Sequence, residues 1–157
     1  MTRTFLRRGM VLAALSALAL AAVAFAACGS GTSDATKNEA AISTINIIDK
    51  AGLHDLDTAI NKDGNVPATA RTTALHLQIA ALLTEWPTKQ MKDDAKKLAD
   101  SLGALADALN SATPDLKKAG AAATDVHEKS HDFSKEVWDY LDGKAGMKAD
   151  GTADHHN

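Results

Sequence analysis

Two histidines four positions apart are the residues of this chain best suited to bind a metal. They are His127 and His131, in the stretch VHEKSH. Side chains at positions i and i+4 share one face of a helix, and two imidazoles placed in this way can chelate one ion. At about 100° per residue, His127 also falls near the centre of the apolar stripe of its predicted helix, with His131 beside it. A buried polar group is costly without a partner, so the pair needs an explanation.

Two further side chains are candidates for the same site. With about 1.5 Å of rise per residue, Asp49 faces the core from the first predicted helix at the depth of His127 on the last. His76 lies on the flank of another helix, about one turn away. The sequence therefore predicts a metal site formed by His127, His131 and Asp49, with His76 assisting. Nitrogen and oxygen ligands of this kind suit zinc or copper.

The same residues allow a second interpretation without a metal. Asp49 and His127 would then form a buried hydrogen-bonded pair, and His131 would lie half-exposed on the flank. His54 points outward from a straight first helix. Only a kink at Gly52 would turn His54 inward.

The stretch His127 to His131 resembles the H-E-x-x-H motif of the zincin metalloproteases, where Glu128 would be the general base. Those families need a third ligand on a following segment and a sheet edge that aligns the substrate. Here DFSKEVWDYLDG follows, without the metzincin continuation, and no strand-like alternation is present. If His127 faces the core, Glu128 points about 100° away, toward solvent. We therefore expect neither proteolysis nor another enzymatic activity.

Four amphipathic segments must position these residues, and turns or prolines separate them. They cover approximately residues 38–61, 67–86, 88–112 and 114–141, and Thr113 is the predicted N-cap of the last one. The third has the clearest pattern, because its apolar positions alternate spacings of four and three, at Met91, Ala95, Leu98, Leu102, Leu105, Leu109 and Ala112. Short loops between helices of similar length predict an all-α fold, an up-down-up-down antiparallel four-helix bundle over residues 38–142. Two long helical hairpins that dimerise are the alternative.

The second segment is predicted to face the core with one apolar stripe, formed by Leu75, Ile79, Leu82 and Trp86. Leu77 and Ala81 lie away from that stripe. They are therefore candidates for a patch that docks a partner protein.

The N-terminus has the layout of a secretory signal peptide. Arg3, Arg7 and Arg8 precede an apolar run over residues 10–27, and small residues lead into Cys28. The stretch Phe25-Ala26-Ala27-Cys28 resembles the lipobox of bacterial lipoproteins, with Phe25 where that family usually has Leu. The resemblance implies cleavage after residue 27 and diacylation of Cys28, and two acyl chains hold a protein stably on a bilayer. The alternative is an uncleaved anchor helix, and both place the rest of the chain outside the cytoplasm, at the periplasm or cell surface.

Composition limits the partners of the mature domain. Cys28 is the only cysteine, so no disulfide is available to the domain. Loss of residues 1–27 removes three arginines and leaves 14 basic against 20 acidic residues, a net charge of −6. Such an acidic domain has no electrostatic footprint for nucleic acid and no basic patch for lipid head groups. Residues 28–37 are predicted to be a flexible tether after the lipidated Cys28, and residues 143–157 a disordered tail.

The sequence thus predicts a membrane-anchored extracytoplasmic lipoprotein that binds a transition-metal ion within a helical bundle. The alternative function is an interaction module that docks a partner protein at the membrane surface without a metal.

Overall fold

The computed structural model describes residues 32–145, and within that range the chain is helical, with no β-strand. The predicted signal peptide, Cys28 and most of the predicted tail lie outside the described residues. Five helices form the four arms of an antiparallel bundle, and this confirms the predicted fold class. They are α1 (Asp34–Asp49), α2 (Leu53–Asn61), α3 (Ala70–Leu83), α4 (Lys89–Ala108) and α5 (Leu116–Lys144).

Side-chain oxygens cap three of these helices at their N-termini. The Ser33 hydroxyl accepts the backbone N–H of Thr36, and the Thr88 hydroxyl accepts that of Met91. Each of these bonds satisfies a backbone donor that has no partner inside its helix. Helix α1 begins at Asp34, inside the segment predicted to be a tether.

Helix α5 is capped by Asp115, whose carboxylate accepts the backbone N–H groups of Lys117 and Lys118. The sequence pattern placed the cap two residues earlier, at Thr113. An aspartate at the N-cap adds a favourable charge at the positive end of the helix dipole.

The first arm of the bundle is broken, where the sequence predicted one continuous helix over residues 38–61. Helix α1 ends at Asp49, and α2 begins after Gly52, which has a left-handed backbone with φ of +69°. Only glycine adopts this conformation without a steric cost from a Cβ atom. The break interrupts the helical phase, and α2 therefore presents a face to α5 that a continuous helix would not.

Helix α5 runs antiparallel to the first arm of the bundle. Ordered along the first arm, Asp49 pairs with Trp138, His54 with His127, and Asn61 with Gly120. Helices α3 and α4 also pack against each other, as do α4 and α5, and α1 contacts α3 less extensively. One of these contacts joins the hydroxyls of Thr44 and Thr84 at 2.7 Å.

The predicted stripe of α4 is confirmed as core except at its last position, because Ala112 lies beyond the end of the helix and is exposed. Its apolar positions from Met91 to Leu109 are all nearly inaccessible to solvent. Side chains of the other helices complete the core around this stripe, including Ile45, Ile60, Val126 and Val137.

The predicted core stripe is wrong at Ile79 and Leu82, although Leu75 packs against the core and Trp86, beyond the end of α3, is buried in it. Helix α3 has a second apolar stripe, and this is the one it buries most deeply. Leu77 and Ala81, together with Ala70 and Ala74, lie in the core, whereas Ile79 and Leu82 are more than half exposed. The buried stripe consists mainly of alanines, which let α3 approach its neighbours closely. The docking patch predicted at Leu77 and Ala81 is therefore not on the surface.

None of the helices within residues 32–145 is both long enough and apolar enough to cross a membrane.

Candidate metal centre

Three imidazole rings meet where the start of α2 packs against the middle of α5. The Nε2 atom of His127 lies 3.0 Å from Nε2 of His131 and 3.2 Å from Nδ1 of His54. Both neighbouring rings lie edge-on to His127, with centroids 4.7 and 4.9 Å away. Helical spacing brings His131 beside His127. The break at Gly52 brings His54 to the same place from the other side.

Two nitrogen neighbours compete for a single ring nitrogen of His127. An imidazole nitrogen carries either one proton or one lone pair in the ring plane, so it makes one in-plane hydrogen bond. Nε2 of His127 nevertheless has two nitrogen neighbours within 3.2 Å. The two contacts therefore share one proton or one lone pair, as in a three-centre hydrogen bond. A cation among the three nitrogens would interact favourably with all of them.

The other ring nitrogen of His127 has a carboxylate as its partner. Nδ1 lies 3.4 Å from Oδ2 of Asp57, and both side chains are about one-fifth exposed, at 19% and 20%. The other oxygen of Asp57, Oδ1, accepts hydrogen bonds from Asn61 Nδ2 at 2.7 Å and from the Thr124 hydroxyl at 2.8 Å.

The surroundings of Asp57 favour its charged form. Desolvation by burial alone would raise the pKa of this carboxyl. Hydrogen bonds from Thr124 and Asn61, together with the nearby His127, outweigh that effect and lower the pKa of Asp57 below its ordinary value of 3.8. Asp57 is therefore ionised at neutral pH and offers only acceptor atoms to His127.

The imidazole cluster opens onto a solvent-accessible cleft of about 1370 Å³ between the first arm and α5. His54, His127 and His131 all line it, and so does Asp49. Asp49 is engaged elsewhere, because its Oδ2 accepts a hydrogen bond of 3.0 Å from the indole Nε1 of Trp138.

The structure brings together only some of the residues in the predicted site. His127 and His131 are adjacent. Asp49 lines the same cleft, but its side chain is exposed, so the prediction that it faces the core is wrong. His76 is exposed on α3, whereas the cleft is lined from the first arm and α5. His54 takes part in the cluster instead. Gly52 was the feature of the sequence that could have indicated the position of His54. Nothing in the sequence indicated Asp57, apart from its spacing of four residues from Asn61.

As the side chains stand, no group of three or more His, Cys, Asp or Glu residues within 32–145 is arranged to hold a metal ion. Both nitrogen contacts run through His127, so the donors meet in pairs rather than around one common point. His54 and His131 are exposed. Exposed side chains change rotamer within picoseconds to nanoseconds, so small ring rotations are available to both.

Comparison of the chain with protein-family models, with curated proteins and with solved structures finds no match.

Proposed function

We propose that this chain is a lipid-anchored, extracytoplasmic protein whose helical bundle binds a divalent transition-metal ion through His54, His127 and His131. The observation that carries the metal proposal is the approach of two imidazole nitrogens to Nε2 of His127, at 3.0 and 3.2 Å. Nitrogens bound to one tetrahedral zinc ion at ~2.0–2.1 Å are about 3.3 Å apart. The two separations at His127 are therefore close to those of zinc ligands, and ring rotations of His54 and His131 would be needed to direct all three nitrogens at one ion.

The donor set limits the kind of metal. Three neutral imidazoles favour zinc or copper over magnesium and calcium, which prefer oxygen ligands. Three protein ligands would leave a fourth position facing the cleft, where water completes the coordination shell. The lipid anchor is supported by the sequence alone, through the stretch Phe25-Ala26-Ala27-Cys28 and the arginines and apolar run before it.

The first test uses the full chain, expressed in a bacterial host and extracted from the membrane in detergent. Its intact mass under native conditions reports acylation of Cys28 and any bound ion together. We expect a mass that lacks residues 1–27, carries the acyl chains and includes one metal ion. An unmodified N-terminus would overturn the anchor, and it would leave the metal proposal to be decided separately.

The second test measures the melting temperature of the protein with and without added Zn²⁺ or Cu²⁺. Saturation at one hundred times Kd stabilises the folded state by about 2.7 kcal/mol. For a domain of this size that is a rise on the order of 10 °C. His127→Ala should abolish the rise, whereas His76→Ala, which removes an exposed histidine on α3, should retain it. An unchanged melting temperature of the wild-type protein with both metals contradicts the proposal.

A second candidate function is the interaction module, and the exposed apolar face of α3 favours it. Ile79 and Leu82 are 52% and 55% exposed, and Leu83 is 78% exposed. Ile47 of the neighbouring α1 is also 52% exposed. No charged residue occurs between Thr72 and Thr84. Size-exclusion chromatography of Leu82→Lys beside wild type tests this function, since loss of an association present in wild type would support it.

A further inference from the structure

Asp57 lies against the side of His127 that faces away from the other two imidazoles. Its Oδ2 approaches Nδ1 of His127 at 3.4 Å, whereas His54 and His131 both approach Nε2. The two nitrogens of one ring therefore have chemically different partners. A carboxylate can only accept a hydrogen bond, so it favours a proton on Nδ1 and leaves the lone pair on Nε2.

The carboxylate itself is fixed by donors on two helices. Asn61 reaches Asp57 from one turn further along α2, and Thr124 reaches it from α5. Asn61 also donates to the backbone carbonyl of Gly120 on α5, at 3.1 Å. Because both donors bind the same oxygen of Asp57, Oδ2 is left for His127.

We propose that Asp57 is the positioning residue of the metal centre and holds His127 in the tautomer whose Nε2 lone pair points at the ion. This inference rests on the metal binding proposed above. Carboxylates that accept the second N–H of a ligating histidine fix its tautomer and orientation and raise its basicity as a ligand. Oδ2 of Asp57, 3.4 Å from Nδ1, lies where it could do this for His127 without touching the ion.

Asparagine at position 57 should disturb the site more than alanine does. The donors Asn61 and Thr124 would hold the amide oxygen in the place of Oδ1, and the amide NH₂ group would then face Nδ1 of His127. An amide donor there favours a lone pair on Nδ1 and a proton on Nε2, where the ion must bind. Asp57→Ala merely removes the orienting group. A purely structural role predicts the opposite order, since asparagine keeps the shape of aspartate.

Gly120 provides a second and more distant way to disturb the same network. A Cβ atom at this position would overlap the carboxamide of Asn61, with Cγ at 2.9 Å. Gly120→Ala must therefore shift the Asn61 carboxamide, which donates to Asp57, although residue 120 lies nearly two turns of α5 from His127. We expect this variant to weaken metal binding without altering a ligand.

The experiment compares wild type with Asp57→Asn, Asp57→Ala and Gly120→Ala, each as the mature, detergent-extracted protein. Asp55→Asn is the matched control, because it removes an exposed carboxylate of the same cleft. Zinc affinity is measured by competition with a chromophoric chelator, and long-range ¹H–¹⁵N NMR of the metal-free proteins reports the tautomer of His127. We expect about a 10- to 100-fold loss of affinity at position 57, with asparagine the worse of the two. The control should stay within twofold of wild type.

The NMR readout separates positioning from folding. Nδ1 of His127 should carry the proton in wild type and in Asp55→Asn, and Nε2 should carry it in Asp57→Asn. Wild-type affinity in Asp57→Asn, or an unchanged tautomer, would overturn the role of Asp57 while the metal proposal stands. If wild type itself binds neither Zn²⁺ nor Cu²⁺, the proposed function fails and this inference fails with it.

Discussion

Nδ1 of His54 lies 3.2 Å from Nε2 of His127, although the two residues are 73 positions apart in the chain. The contact depends on one backbone conformation, the left-handed Gly52 that separates α1 from α2. A continuous helix would have carried His54 away from His127. The backbone conformation of Gly52 therefore determines whether His54, two residues later, belongs to the candidate site.

Gly52→Ala should destabilise the protein by about 1–2 kcal/mol, because an L-residue pays that amount for a left-handed conformation. Lack of space is not the reason, since the nearest atom to an added Cβ is Asp55 Oδ2 at 3.9 Å. Urea denaturation measures the loss. We expect zinc affinity to fall in the same variant, because relief of the strain moves His54 away from His127.

Gly143→Ala is the matched control for that substitution. Gly143 lies in the last turns of α5, where an added Cβ would meet no atom within 4 Å, and its backbone is helical. Alanine there should raise the free energy of unfolding by about 0.5–1 kcal/mol. Equal effects of the two substitutions would show that the conformation at Gly52 does not determine its stability.

The sequence predicted most of the fold because one helix face was unambiguous. Along α4, lysines and aspartates occupy the outer positions, so only the stripe from Met91 to Leu109 could be buried. Helix α3 has no comparable contrast between a charged outer face and an apolar inner face. Its sequence is compatible with burial of either apolar stripe. The stripe that contains Ala74 and Ala81 is buried because these small side chains pack closely against the neighbouring helices. Packing of that kind is a tertiary property that periodicity does not record.

The candidate site was predictable only in part, for a related reason. The spacing of four residues brought His127 and His131 together. His54 depended on whether Gly52 breaks the first helix, and the apolar pattern on both sides of Gly52 also fits an unbroken helix. No sequence pattern indicates Asp57, because its contact with His127 depends on how α2 packs against α5.

Asp49→Asn should leave zinc affinity within about twofold of wild type. The carboxylate of Asp49 accepts a hydrogen bond from the indole of Trp138, and it lies on α1, before the break that orients the site. The same chelator competition measures this affinity. A tenfold loss would instead place Asp49 in the coordination shell, as the sequence predicted.

Glu136→Gln should stabilise the protein at pH 7 by up to about 1 kcal/mol, and the gain should disappear below about pH 4. Burial, and then the neighbouring Asp94 carboxylate, raise the pKa of Glu136 above its ordinary value of 4.5. The folded state therefore binds this proton more tightly than the unfolded state. It loses stability as the pH rises from that ordinary value to the higher folded pKa.

Glutamine does not ionise, so Glu136→Gln should not lose stability as the pH rises through this range. Thermal unfolding of both proteins between pH 3 and pH 7 measures the difference, with the exposed Glu128→Gln as control. The control should stay within about 0.5 kcal/mol of wild type at every pH. A stabilisation of Glu136→Gln that does not change with pH would mean that the charge of this carboxyl is not its cause.

Alanine substitutions at Leu77 and Leu82 should differ sharply, although the two leucines lie five residues apart on one helix. Leu77 is 3% exposed, so its truncation leaves a cavity and should cost about 2–5 kcal/mol. Leu82 is 55% exposed, and its truncation should change stability by less than about 0.5 kcal/mol. Urea denaturation at low protein concentration measures both. The reverse order would place Ile79 and Leu82 in the core, as the sequence predicted, and remove the exposed face on which the interaction-module function depends.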